Sequence, residues 1–252
     1  MLAAERWQKI VQLVNERGSS RVTELSDIFQ VTEETIRRDL DKLENEGKLL
    51  RSHGGAVSVK DDAPEVPYPE RETTNAEQKR KIAQLAIGHI REKERIILDA
   101  STTAWYMAQI MPDFPLTVLT NSIKVSLELS GKEHVKVIST GGQLSPRSLS
   151  FVGPLTERSL STYHVDKAFI SCTGLHGERG ISEANEQTAL VKQKMVEIAD
   201  HTYVLADFSK FGQQSFAQVA GWDRIGSLIT DAAADESVLQ RLRDNAVNII
   251  QA

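Results

Sequence analysis

Seven short apolar runs constrain this chain more than any other feature of its 252 residues. They lie at 96–98, 116–119, 135–138, 168–171, 203–206, 228–229 and 247–250, and stretches of helical character separate them. The runs lack a polar residue at every second place, so each suits a strand covered on both faces. Strand–helix alternation sustained from residue 77 to the end predicts an open α/β fold of the doubly wound kind, built on a parallel sheet.

The pattern before residue 60 is different. Trp7, Ile10, Val11 and Val14 share one helical face, and Gly18 ends that helix. A second helix is expected over 23–29, burying Leu25, Ile28 and Phe29. Thr32 is a good N-cap for a third helix, with Glu33 and Glu34 at its positive dipole end and Gly47 after its last turn. Ile36, Leu40 and Leu43 form its inward stripe, while Thr35, Arg38 and Lys42 fall on the far side and Arg37 at the flank. Two short helices and a longer one, joined by tight turns, make a helix-turn-helix, whose second helix enters the major groove. Residues 48–59 (KLLRSHGGAVSV) then read as a hairpin, a wing that carries Arg51 and His53 toward the phosphate backbone or the minor groove.

Between these halves, residues 60–75 (KDDAPEVPYPERETTN) hold three of the seven prolines and no apolar periodicity. The expected organisation is a winged helix-turn-helix domain at 1–59, a linker at 60–76 and a larger domain at 77–252. There is no internal repeat.

Composition removes whole classes of function. Thirty basic and thirty-five acidic residues give a net charge of −5, which excludes a polycation that coats nucleic acid in bulk. Residues 1–60 hold ten of each sign, so DNA contact has to come from a local patch. A single cysteine, Cys172, excludes a disulfide framework and a multi-thiolate metal site. The six histidines (His53, His89, His134, His164, His176, His201) show no ligand spacing, and neither metal nor cofactor is expected. No apolar run reaches the roughly 18 residues of a membrane span, and the first nine residues lack a signal peptide's apolar core. A cytoplasmic protein with no membrane partner is the expectation.

In an open α/β sheet, ligands sit at the carboxyl ends of the strands. Those ends read Asp99-Ala100-Ser101-Thr102-Thr103, Thr120-Asn121-Ser122, Ser139-Thr140-Gly141-Gly142-Gln143, Ser171-Cys172-Thr173-Gly174 and Asp207-Phe208-Ser209-Lys210. A Ser-Thr-Thr turn opening a helix offers hydroxyls, N–H groups and the positive dipole end to an anion, and paired glycines let backbone approach a ligand. Each end alone has an ordinary reading as an N-cap or a turn. Five together favour a pocket for a small, hydroxylated, anionic molecule. Glu183 and Glu186 precede a helix that carries Lys192 and Lys194, either as a charged, solvated first turn or with Glu183 accepting sugar hydroxyls and Lys194 reaching the anionic end.

Two sets of motifs carry a family resemblance. Arg6, Ile10 and Val14, followed by VTEETIRRDLDKLENEGKLLRSHGGAV, resemble the winged helix of the DeoR family of bacterial transcriptional regulators over some fifty residues. ILDASTTAWYMA, VLTNS, VISTGGQL and LADFSKFG are similar to the sensor half of those regulators, related in fold to ribose-5-phosphate isomerase and coenzyme A transferases. The resemblance implies that Thr32, Thr35, Arg37 and Arg38 meet bases and adjacent phosphates of double-stranded operator DNA. Ser20, Lys42, Arg51 and His53 complete the DNA-facing candidates. Asp39 is expected to orient an arginine, since phosphate repels a bare carboxylate. The resemblance further implies a phosphorylated sugar as effector. Ser101, Thr102 and Thr103 would hold its phosphate, Asp99, Asn121, Ser122, Gly141 and Gly142 would line the pocket, and Lys210 would be a charge partner. One module binds weakly at physiological salt, so a symmetric dimer or tetramer on paired half-sites is expected.

Two rival readings stand beside a ligand-controlled repressor. One is a sugar-phosphate isomerase-like enzyme using Asp99, Glu183 and Lys194 to move a proton. No G-x-S-x-G, P-loop or H-E-x-x-H motif accompanies it, a fused DNA-binding domain suits a sensor better, and no catalytic residue is expected. The other is an oligomerising module with no ligand.

Overall fold

A computed structural model describes residues 3–17, 19–46, 48–52, 55–58 and 66–252. The chain forms two compact units, Met1–Pro64 and Glu65–Ala252.

The first unit runs α1 (Ala3–Arg17), β1 (Ser19–Arg21), α2 (Val22–Phe29), α3 (Glu33–Asn45), β2 (Leu49–Ser52) and β3 (Gly55–Ser58). Ile10, Val14, Val22, Leu25, Phe29, Ile36, Leu40, Leu43 and Leu49 form its core. The expected stripe of α3 is therefore the buried one. Ile28 is the exception on α2 at 45% exposure, because the buried stripe of this helix runs through Val22, Leu25 and Phe29 and Ile28 lies at its flank. The three strands pair antiparallel in the order β1-β3-β2, so the wing is a three-stranded sheet and not a hairpin alone. Gly55 makes that third strand fit: a Cβ there would lie 2.2 Å from the carbonyl oxygen of Ser20. Gly55→Ala is accordingly expected to cost about 1–3 kcal/mol by overpacking. Calorimetry of the full-length protein would check this, the first unit melting earlier and the second unchanged.

The second unit begins earlier than the expected 77. Helix α4 (Tyr68–Thr73) falls inside the stretch read as linker, and Tyr68 is fully buried in the second unit's core. Pro67 and Pro69 sit at the start of this helix, where a missing N–H costs nothing, so prolines that look like linker punctuation open a helix instead. Then follow α5 (Ala76–Ile87), β4 (Arg95–Leu98), α6 (Thr102–Gln109), β5 (Leu116–Thr120), α7 (Ile123–Leu129) and β6 (Val135–Ser139). A hairpin, β7 (Gln143–Ser145) and β8 (Ser150–Val152), leads to α8 (Pro154–Leu160) and β9 (Val165–Ile170). Next come β10 (Gly174–His176), β11 (Gly180–Glu183), α9 (Glu186–Glu197), β12 (Ala199–Leu205), β13 (Ala217–Ala220), β14 (Ser227–Thr230), α10 (Glu236–Asp244) and β15 (Asn248–Gln251).

Seven of these strands form one parallel sheet in the order β15-β14-β12-β9-β4-β5-β6, and they coincide with the seven apolar runs. Side chains alternate between its faces: Ile97, Ala168, Ile170, Val204 and Leu228 pack in one core, while Ile96, Leu98, Phe169, Tyr203 and Ile229 pack in the other. Helices α5, α6 and α7 contribute to the second core and α8, α9 and α10 to the first. The fold is a small winged helix-turn-helix unit plus a larger doubly wound parallel α/β unit. A separate antiparallel sheet, β10-β11-β13, and the β7–β8 hairpin are additions that apolar runs do not announce. No helix among the described residues is long and apolar enough to cross a membrane.

Candidate functional site

The first unit presents the amino-terminal half of α3 outward. Thr32 caps the helix, accepting from the Thr35 N–H at 3.2 Å, and the two threonine hydroxyls lie 2.9 Å apart. Arg37 and Arg38 project from the first turns, paired with Glu33 at 2.7 Å and Glu34 at 3.3 Å. Arg38 keeps 79% of its side chain exposed, so such a pair is weak and readily exchanged for a phosphate or a base edge. Asp39 faces the other way. Its carboxylate accepts from Arg6 Nε and Trp7 Nε1, both at 2.6 Å, so the arginine it orients lies on α1. On β2, Arg51 meets Asp41 at 3.2 Å, and its backbone N–H donates to Glu44. His53 lies outside the described residues.

Two of the DNA-facing expectations need correction. Ser20 is buried, with its backbone paired to Ala56 between β1 and β3, so its hydroxyl does not reach a duplex. Lys42 bends back over the Trp7 ring, its Nζ 3.6 Å from the ring centroid, and serves the α1–α3 packing.

In the second unit the chain passes from β4 to β5 and β6 on one side of the sheet, and through β9, β12, β14 and β15 on the other. The switch point between β4 and β9 is where a crevice opens in such a sheet. The polar strand ends flank it in consecutive positions across β12, β9, β4, β5 and β6. Asp99, at the end of β4, is fully buried and bridges the switch: its carboxylate accepts from the Ser101 and Ser171 N–H groups at 3.0 and 2.9 Å. Lys192 reaches the same point from α9, with Nζ 3.0 Å from Asp99, 2.5 Å from Glu183 and 2.6 Å from the Ser171 carbonyl oxygen. Glu183 also accepts from the Thr173 hydroxyl at 2.6 Å. Burial alone would lower the Lys192 pKa, but Asp99 and Glu183 outweigh it and hold the amine cationic.

Around this ion triad lie groups with capacity for a ligand. Ser101 caps α6, accepting from the Ala104 N–H at 3.1 Å, and Thr102 and Thr103 open the helix. Asn121 donates to the Phe151 carbonyl oxygen at 2.9 Å, whereas its own Oδ1 is buried with no hydrogen-bond partner among the described residues. Ser122 caps α7 through the Val125 N–H. Gly141 and Gly142 both adopt positive φ, and a Cβ on Gly142 would lie 2.1 Å from Thr156 Oγ1. Gly142 therefore serves packing of the loop against α8. Asp207 accepts from Asn75 and from Ser209, and this fixes the turn that presents Lys210 at the rim.

Comparison with known proteins matches both units. The DeoR-like helix-turn-helix domain fits residues 6–62, and the DeoR C terminal sensor domain fits residues 74–232. The chain belongs to the DeoR family of transcriptional regulators. It is 55% identical to the HTH-type transcriptional regulator YulB of Bacillus subtilis, over 99% of this chain and 96% of that one. It is 41% identical to the L-fucose operon activator of Haemophilus influenzae, over 92% and 94%, and 34% identical to the putative aga operon transcriptional repressor of Escherichia coli O157:H7, over 98% and 93%.

Within this DeoR-family sensor, one expected ligand contact is displaced. Lys194 pairs with Glu197 at 2.5 Å along the outer face of α9, and Lys192 is the lysine that meets Glu183. Helical spacing carries the signal: Lys192 shares the buried stripe of Ala189, Met195 and Val196, and Lys194 does not. Asp99 and Glu183 likewise act through Lys192, with their oxygens already committed.

Proposed function

We propose that this DeoR-family protein represses a sugar-catabolic operon and releases its operator when a phosphorylated sugar binds the sensor domain. The observation that carries the reading is the gathering, at one sheet edge, of the Ser101-Thr102-Thr103 helix start, the unpartnered Asn121 Oδ1 and the Lys210 turn. A helix start with hydroxyls suits phosphate, a buried amide oxygen suits a sugar hydroxyl, and a rim lysine suits the remaining charge. Relatives named for an L-fucose operon and an aga operon agree with a sugar pathway. Turnover is not part of the proposal. The carboxylates an isomerase would need as bases, Asp99 and Glu183, are each bound to Lys192. Two copies of the chain on paired half-sites supply the affinity that one winged helix lacks.

A ligand shifts an equilibrium only by its differential affinity for the two states. The test is an operator-binding titration with and without a panel of aldose and ketose monophosphates. The expected result is a weaker operator complex in at least one sugar phosphate, together with stabilisation of about 2.7 kcal/mol at a hundredfold excess over its Kd. Superimposable operator curves and flat melting data across the panel would remove the switch.

A further inference from the structure

Helix α3 carries two carboxylates beyond its first turns that a DNA-facing role does not account for. Arg37, Asp41 and Glu44 are spaced i, i+4 and i+7, so they share one stripe of the helix. Phosphate repels a carboxylate on such a stripe, so charge alone opposes both acids there. Each is instead engaged by the wing. Arg51 Nε lies 3.2 Å from Asp41 Oδ1, and the Arg51 backbone N–H donates to Glu44 Oε1 at 2.8 Å. One residue of β2 is thus held twice, once through its side chain and once through its main chain.

The strand concerned is the one that needs an outside partner. In the order β1-β3-β2, β2 has β3 on one side only, and an edge strand leaves backbone groups unpaired. Glu44 covers one of them. The link from α3 to β2 is short: the Lys48 N–H donates to the Leu43 carbonyl oxygen at 2.9 Å, and Leu43 and Leu49 are buried in the same core. That link fixes the base of the wing, while Asp41 and Glu44 hold it two residues further out. The Arg51 guanidinium is turned toward the protein. Its side chain is 28% exposed, and Nη1 is buried with no hydrogen-bond partner among the described residues. A nitrogen shut away from solvent is shut away from phosphate as well, at a desolvation cost that a surface arginine with its head in water avoids.

We propose that Arg51, Asp41 and Glu44 form a clamp that sets the angle of the wing against α3, with Arg51 a positioning residue for DNA binding and not a grip on phosphate. Both carboxylates then favour the operator complex through geometry although their charge opposes it. This inference rests on α3 being the helix that reads DNA. It also gives a reason for acids on the helix that faces the duplex, in a unit whose first sixty residues carry no excess of positive charge.

The test uses the full-length chain and a fluorophore-labelled duplex that the parent protein selects from a pool of double-stranded DNA fragments, with anisotropy titrations from about 50 to about 200 mM salt. Asp41→Ala and Glu44→Ala are each expected to weaken binding by about three- to tenfold. Alanine is the stronger helix former at both places, so α3 itself is kept and these arms do not depend on how Arg51 variants fold. Repulsion alone predicts the opposite sign, tighter binding in both. Glu44→Gln is the conservative variant. Its amide oxygen still accepts the Arg51 N–H while the charge is gone, so affinity is expected to stand at the parental value or above it. Arg51→Met is expected to weaken binding by the same factor as the alanine variants, with the slope of log K against log salt unchanged. A lost phosphate contact would instead make that slope shallower by about 0.9. Arg51→Met combined with Asp41→Ala is expected to bind no more weakly than Arg51→Met alone, since both changes break one interaction. Melting temperatures are expected to stay near the parental one, because a half-exposed pair adds little stability. Parental or tighter binding by both alanine variants, or the shallower slope in Arg51→Met, would overturn the clamp and leave α3 as the reading helix. Parental affinity in Arg38→Ala would remove α3 from that role and this inference with it.

Discussion

Lys192→Met is expected to lower the stability of the sensor unit by about 3–5 kcal/mol, the largest effect of any single substitution considered for this protein. Lys192 Nζ places each of its three donors on a buried oxygen, from Asp99, Glu183 and the Ser171 carbonyl. Removing the ammonium leaves two carboxylates close together away from water, with no cation between them. Neither has a cheap refuge. Asp99 is fully buried at the β4–β9 switch, where its oxygens also fix the Ser101 and Ser171 backbones. The damage should therefore reach the helix start at Ser101 as well as the global fold. For a unit of this size each kcal/mol corresponds to roughly 2–4 °C, so melting should begin on the order of ten degrees earlier. Lys194→Met is the control. Its partner Glu197 is a neighbour on the surface of α9, and an unchanged Tm is expected. Equal melting of the two variants would show that the buried triad does not hold the switch point together.

The second large effect concerns DNA. Arg38→Ala is expected to leave the fold intact and to weaken specific operator binding by about 1–3 kcal/mol per half-site, compounding in a complex that engages two half-sites. The reasoning is geometric. Arg38 stands near the start of α3, mostly exposed, and holds an exposed i,i+4 pairing with Glu34. Glu34 competes with DNA for the guanidinium, so Glu34→Gln is expected to tighten binding modestly, most clearly at low salt. Asp39→Asn acts through a different route, because Asp39 clamps Arg6 and Trp7 of α1 and so sets how α3 is carried. It is expected to lower the melting temperature of the first unit as well as its affinity. Fluorescence anisotropy with a fluorophore-labelled operator, paired with melting curves, separates the two behaviours. Wild-type operator affinity in Arg38→Ala would overturn the assignment of α3 as the recognition helix.

Which parts of this molecule were legible before folding follows from the range of the interactions that decide them. The seven sheet strands were readable because burial on both faces leaves an apolar run within each strand itself. The inward stripe of α3 and its Thr32 cap were readable because both are local, spanning one helix and one turn. The strand-end residues were readable because a parallel sheet places all carboxyl ends at one edge whatever the strand order. Other features depend on neighbours distant in sequence. Ile28 was expected in the core, but the helix packs through Val22, Leu25 and Phe29 and leaves Ile28 at the flank. Lys42 has the spacing of a DNA contact, but Trp7 on another helix draws it in. The stretch beginning at Tyr68 has the prolines of a linker, but a core position and the Arg147 carbonyl oxygen claim it.

The linear order of residues thus determined a winged helix-turn-helix followed by a parallel α/β unit, because periodicity, capping and turn chemistry act over only a few neighbouring positions. Only the tertiary structure decided that Lys192 rather than Lys194 neutralises Asp99 and Glu183. Only it decided that the Tyr68 hydroxyl is buried with no hydrogen-bond partner among the described residues. A charge or a hydroxyl acquires its meaning from what surrounds it after burial, and those surroundings are assembled from strands and helices scores of residues apart.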